Sequence, residues 1–210
     1  MLLKEQLSEA LQKGNTPEVK RLSEEAINAG IEASLILDGL LEGMGVVGRR
    51  FKANEIFVPE VLIAARALNA GLEVIRPALT ASGVKPVGKA LIGTVEGDLH
   101  DIGKNLVKMM MVGVGIEVID LGVDIKAPQF VDAAIEHDVR IICMSALLTT
   151  TMNNMKKVID ELEQRGVRDR FIVMVGGAPL NATFAEQIGA DYYSADAQTA
   201  AEIAQSLFKK

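Results

Sequence analysis

A chain of 210 residues, 49% of them apolar, can bury a substantial core and lacks the composition of a disordered segment. Its formal charge of −6 argues against nucleic acid as the main partner, since phosphate binding needs a basic surface, and the absence of Trp weakens any reading based on stacked bases or sugars. One cysteine, Cys143 in an apolar run, permits neither an internal disulfide nor a cysteine zinc cluster. With no leader-like segment and no apolar run of membrane-spanning length, a cytoplasmic location without membrane partners is expected.

The first part of the chain reads as helices. Leu2 to Lys13 predicts a short amphipathic helix ending near Gly14, and Thr16-Pro17-Glu18 reads as the next helix start, with Thr16 as the capping hydroxyl. Val19, Leu22, Ala26 and Ile27 share one face of that helix, which Gly30 closes. A third helix is predicted over Ala33 to Phe51, with Leu37, Leu40, Leu41, Met44, Val47 and Phe51 as its apolar stripe. Its glycines Gly39, Gly43, Gly45 and Gly48 are each costly in a helix interior, and mean either close approach of a ligand or tight helix packing. Phe57-Val58-Pro59-Glu60 opens a fourth helix through about Glu73, with Val61, Leu62, Ala65, Leu68 and Leu72 facing inward. Four helices with short connections make a small bundle.

The turn-rich stretch Ala81 to Gly88 separates two domains, predicted as a helical bundle over 1–84 and an α/β domain over 89–210. The second domain alternates strand and helix. Strands are expected at Lys89 to Val95, Glu117 to Leu121, Ile141 to Ser145, Phe171 to Val175 and Asp191 to Ser194. Helices follow from Ile102 to Val112, Pro128 to His137, Thr151 to Arg165, Ala182 to Ile188 and from Thr199 onward. Strands rich in Val and Ile with little polar alternation specify a parallel sheet of five strands, covered on both faces.

In such a sheet the loops that leave the strand C-termini share one edge, where ligands bind at the switch in strand order. Three of these loops are unusual: Glu96 to Asp101, Ser145 to Thr151, and Gly176-Gly177-Ala178-Pro179. Nucleotide readings of the first are poor. Five residues, not four, separate Gly97 from Gly103-Lys104, Asn105 stands where a Ser or Thr is required, and two carboxylates oppose the positive end of the helix dipole. Asp98 and His100 make better sense as a carboxylate that orients a metal-binding imidazole. His100 is one of only two histidines, so any further ligands must come from a cofactor. The other, His137, reads as structural, and Met109 to Met111 read as packing.

Asp98-Leu-His100-Asp-Ile-Gly103 resembles the D-x-H-x-x-G signature of the cobalamin-binding domains of methionine synthase and the corrinoid methyl carriers. Ser145-Ala-Leu147 with Thr149 and Thr151 resembles the second motif of that family, and Gly176-Gly177 its third. Glu42-Gly43-Met44 through Phe51, with Phe57-Val-Pro59-Glu-Val61, resembles the helical cap of its methyl-transferring members. The resemblance implies a helical bundle cap followed by a Rossmann-like, flavodoxin-like five-stranded sheet that binds cobalamin or a related corrinoid. It assigns His100 as lower axial ligand of cobalt, Asp98 and Thr151 as its orienting groups, and Thr151 as a hydroxyl carrying one methyl more than the family's serine. Gly97, Leu99, Asp101, Gly103, Ser145, Leu147, Thr149, Gly176, Gly177, Asp196 and Ala197 would contact the cofactor, and Glu42, Met44 and Phe57 would cover its upper face.

On this resemblance the chain is one component of a methyltransferase system and not a complete enzyme. It implies a substrate-specific methyltransferase acting on a methoxylated aromatic, methylamine or methanol donor, a second methyltransferase leading towards tetrahydrofolate, and a corrinoid-reactivating protein as partners. A cobalamin-responsive regulator is the alternative. An adenosylcobalamin mutase subunit is disfavoured by the bundle, and a flavodoxin-like domain in which Asp98 and His100 merely cap a helix is the plainest reading.

Overall fold

The computed structural model describes residues 3–209; Met1, Lys210 and Leu2, the expected start of the first helix, lie outside the described residues. The chain divides into two compact units, one of residues 1–86 with 113–115 and one of residues 87–112 with 116–210, so the division falls inside the turn-rich stretch.

The first unit holds four helices: α1 (Leu3–Gln12), α2 (Thr16–Asn28), α3 (Ala33–Lys52) and α4 (Val58–Ala81). Asn15, not Thr16, caps α2: its side-chain oxygen accepts the Glu18 N–H at 3.2 Å, while Thr16 and Pro17 already lie in the first turn. Two of the α3 glycines, Gly39 and Gly43, resolve in favour of helix packing. A Cβ on Gly39 would stand 3.2 Å from the Lys4 Cα, and one on Gly43 would stand 3.0 Å from the Ser8 Cα and carbonyl, both on α1.

The fourth helix runs beyond Glu73 and through Pro77. Proline removes one backbone bond there, but its φ is helical, and burial of Leu68, Gly71 and Ile75 carries the helix on. At Gly71 a Cβ would meet Leu40 at 2.8 Å and Val19 at 3.0 Å, so three helices converge on one missing side chain. Contrary to the predicted stripe, Leu62 is exposed; the inward face uses Ala64 instead.

The second unit is a five-stranded parallel sheet in the order β2-β1-β3-β4-β5. Its strands are β1 (Gly88–Thr94), β2 (Ile116–Asp120), β3 (Ile141–Ser145), β4 (Ile172–Gly176) and β5 (Tyr192–Tyr193). Its helices are α5 (Ile102–Gly113), α6 (Ala127–Glu136), α7 (Asn154–Gln164), α8 (Ala182–Ile188) and α9 (Ala197–Phe208), with a 3-10 turn at Arg168–Arg170. Leu91, Ile142, Met144, Val173 and Val175 form one buried face against Phe130 and Val131 of α6, Val158 and Leu162 of α7, and Ala185 of α8. Alternation sends Ala90, Ile92, Cys143 and Met174 to the opposite face, where Phe208 of α9 fills the space that a side chain on Gly88 would take.

Two helix starts differ from expectation. Thr151 precedes α7 in a turn, because its hydroxyl is engaged elsewhere, and α9 begins at Ala197 because the Asp196 carboxylate caps it through the Thr199 N–H at 2.8 Å. Among the described residues no helix is long and apolar enough to cross a membrane.

Candidate functional site

Strand order reverses between β1 and β3, and the loops that leave these two strands meet there. β1 ends at Thr94, the chain turns through Gly97 at φ +79°, and Asp98 is delivered to a fully buried position. Burial pushes its carboxyl up. Five donors more than offset that penalty and hold it well below the usual carboxylate range.

Oδ2 accepts from the Thr151 hydroxyl at 2.7 Å, the Leu147 N–H at 2.8 Å and the Leu148 N–H at 3.3 Å. Oδ1 accepts the His100 N–H at 3.0 Å and lies 2.7 Å from the His100 Nδ1. An ionised carboxylate can only accept, so Nδ1 carries the proton and the imidazole lone pair sits on Nε2. The ring is half exposed. The extra methyl of Thr151 fits, since its Cγ2 would stand 3.6 Å from a Cβ on Gly97.

Around this half-exposed imidazole stand four large apolar side chains that water reaches: Leu99, Ile102, Leu147 and Leu148. Gly103, in the first turn of α5, borders open space, and a Cβ there would meet nothing. A helical glycine costs about 1 kcal/mol relative to Ala, and no neighbour in the protein requires this one. Among the described residues no three His, Cys, Asp or Glu side chains gather as a metal site. One presented nitrogen, an apolar rim and a space kept clear suit a metal that arrives inside its own flat macrocycle.

The other residues expected at the site lie along the same sheet edge. Ser145 ends β3 half-buried, with Gly176 as its neighbour on β4, and Thr149 is exposed. Gly177 has φ +143°, and a Cβ there would fall 1.9 Å from the Ala146 carbonyl, so this glycine serves the contact between the β3 and β4 loops. The Asp196 carboxylate is committed to capping α9, and Ala197 is buried behind it. Asp101 is exposed and accepts from the Asn105 side chain at 3.0 Å. In the helical unit Phe57 is exposed, Glu42 pairs with Lys4 at 2.8 Å on the surface, and Met44 is buried. Met110 and Met111 are buried, and His137 stands exposed at the C-terminal end of α6.

Sequence reasoning missed a second polar cluster. Lys104, one turn beyond His100, is buried, with its ammonium 2.7 and 2.8 Å from the two Asp120 oxygens and 2.8 Å from the Asn105 Oδ1. Lys108 adds a contact to Asp120 at 3.1 Å. Burial raises the Asp120 carboxyl, while Lys104, the Gly122 N–H and Lys108 together bring it below its ordinary value.

Known proteins are similar to this chain along most of its length. A B12 binding domain family matches residues 88–204, and a second B12 binding domain family matches residues 3–76. A corrinoid protein of Desulfitobacterium hafniense is 40% identical over 214 aligned residues, covering 100% of this chain and 99% of its own. Trimethylamine corrinoid protein 1 of Methanosarcina acetivorans is 44% identical, over 84% of this chain and 83% of its own. Among solved structures, the methanol:cobalamin methyltransferase complex of Methanosarcina barkeri contains a chain that superposes with a TM-score of 0.88 at 32% identity, over 99% of this chain and 80% of that one.

Proposed function

This chain belongs to the B12-binding family of corrinoid proteins, and from that premise we propose that it is a methyl carrier in which His100 is the lower axial ligand of a corrinoid cobalt. The observation that carries this reading is the buried Asp98 carboxylate, which holds a proton at His100 Nδ1 and so turns a lone pair outward on Nε2. When bound, the corrinoid supplies the centre that accepts and releases the methyl group.

The chain's own residues bind and orient. Leu99, Ile102, Leu147 and Leu148 offer an apolar seat, and Gly103 leaves room beside it. Gly97 and Asp101 shape the loop, and Ser145, Thr149, Gly176 and Gly177 line the part of the edge proposed for the cofactor's tail, with Asp196 and Ala197 at its end. The helical unit, through Glu42, Met44 and Phe57, is proposed to shield the upper face from water between encounters. The partners on this reading are a substrate-specific methyltransferase for a methylamine, methanol or methoxylated aromatic donor, an acceptor methyltransferase leading towards tetrahydrofolate, and a reactivating protein. The relatives named for trimethylamine and found in a methanol methyltransferase complex support the first of these.

The test is the visible spectrum of protein reconstituted with methylcobalamin, wild type beside His100→Ala. The expected result is a histidine-ligated spectrum in wild type only, with unchanged circular dichroism, since the variant removes an exposed loop side chain. Identical spectra would remove His100 as the ligand.

A further inference from the structure

The Asp98 and His100 side chains account for only part of what holds their loop. The first hydrogen bond at the start of α5 runs from the Asn105 N–H to the Asp101 carbonyl at 2.8 Å, so the His100 carbonyl lies one residue ahead of the helical ladder. It accepts instead from the hydroxyl of Thr94, at 3.0 Å. Thr94 is the last residue of β1 and fully buried; its N–H donates to the Gly122 carbonyl and its own carbonyl accepts the Ile125 N–H, both at 3.0 Å. The hydroxyl is therefore mounted on main chain that the β2–α6 loop pins from both sides.

The same loop grips the chain around Asp98. Asp124 sits at φ +56°, a conformation that costs free energy in any residue but glycine. From there its carboxylate accepts the Gly97 N–H at 2.6 Å and its N–H donates to the Asp98 carbonyl at 3.1 Å. The bonds of Thr94 and Asp124 go to the peptide groups beside the Asp98 carboxylate and the imidazole.

We propose that Thr94 and Asp124 are positioning residues for His100, fixing the main chain of the loop so that the Asp98–imidazole pair presents Nε2 at one place. The bond at Nδ1 sets the rotation of the ring but not the position of the loop that carries it. A metal bond of defined length is sensitive to that position. The proposal rests on the reading of His100 as the cobalt ligand, and the test separates the two.

Full-length wild type, His100→Ala, Thr94→Val, Thr94→Ser and Asp124→Gly are produced with 15N-labelled histidine, loaded with cob(II)alamin and compared by electron paramagnetic resonance, where the 15N coupling of an imidazole is read apart from the 14N coupling of the cofactor's own benzimidazole, with thermal unfolding of the unloaded proteins alongside. Valine keeps the shape of Thr94 without its hydroxyl, serine restores the hydroxyl, and glycine accepts the Asp124 backbone conformation without its carboxylate. The expected result is nitrogen coupling from an axial imidazole in wild type and Thr94→Ser, none in His100→Ala, and a ligated fraction about threefold lower or less in Thr94→Val and Asp124→Gly. Imidazole 15N coupling equal to wild type in either of these two overturns the proposal, whatever happens to the unfolding temperature. Should Thr94→Val fail to fold, the Asp124→Gly spectrum decides. A wild type without imidazole 15N coupling removes the ligand reading, and this proposal with it.

Discussion

The helical unit and the α/β unit treat polar groups in opposite ways. Among the described residues of the helical unit the buried polar side chains are the hydroxyls of Ser8 and Ser23, the latter donating to the Val19 carbonyl one turn back, and the ion pairs Lys4–Glu42 and Arg21–Glu25 sit on the surface. The α/β unit buries Asp98, Lys104, Thr94 and Thr151, and gives each a partner. Glycine follows the same division: Gly39, Gly43 and Gly71 let helices approach, whereas Gly97 and Gly177 let loops adopt paths that other residues resist. One unit is built for close contact. The other keeps charge away from water at the edge where its sheet reverses, and that costly arrangement marks its chemistry.

The sharpest test of the contrast is Gly177→Ala, which adds a Cβ 1.9 Å from the Ala146 carbonyl at φ +143°. It should destabilise by about 4 kcal/mol or more, read as the midpoint of urea unfolding. Next comes Asp120→Ala, which leaves the Lys104 ammonium buried without its counter-charge and should cost about 3 kcal/mol. In the helical unit Lys4→Ala, at an exposed pair, should leave the midpoint where it was; a large loss there would break the comparison.

Acid should act through the α/β unit. The carboxyls of Asp98 and Asp120 lie lower in the folded protein than the unfolded value of about 4, so their contribution is complete above that pH. It declines as pH falls from about 4 towards the folded values and is flat between about pH 5 and 8. Urea titrations across this range should show that shape, and Asp98→Asn should flatten the acid limb. The smallest effects lie in α3. Gly43→Ala should destabilise by about 1 kcal/mol, overpacking against Ser8 outweighing the helix propensity gained, while Gly45→Ala, whose Cβ meets only Arg49 at 3.5 Å, should stabilise by up to about 1 kcal/mol.

Much of this was legible in the residues. Continuous apolar strands between helices with recognisable caps gave the sheet and its edge, and the spacing of Asp98 and His100 within one loop gave a carboxylate in reach of the imidazole. What stayed hidden depended on which element faces which. Lys104 and Asp120 are sixteen residues apart on a helix and a strand, and nothing in either neighbourhood states that they meet. Thr94 reads as one more strand residue, and Asp124 as a loop acid, until the fold brings their bonds to the His100 loop. Thr151 reads as the first residue of a helix and, by resemblance, as an orienting group for His100; the bond of its hydroxyl to a carboxylate fifty-three positions earlier goes with a place in the turn ahead of α7. The length of α4 was also not legible: it runs through Pro77 to Ala81, eight residues beyond the expected end.

The tie between Asp98 and the loop after β3 also governs how this unit can be recombined. The carboxylate comes from one side of the sheet's turning point and three of its five donors from residues 147–151. A chimera that joins the front half of one homologue to the back half of another between positions 98 and 147 pairs an acid with donors shaped by a different history. Crossovers placed before β1 or after the start of α7 carry acid and donors together, so the stretch from 88 to 154 is the smallest portable piece of this site.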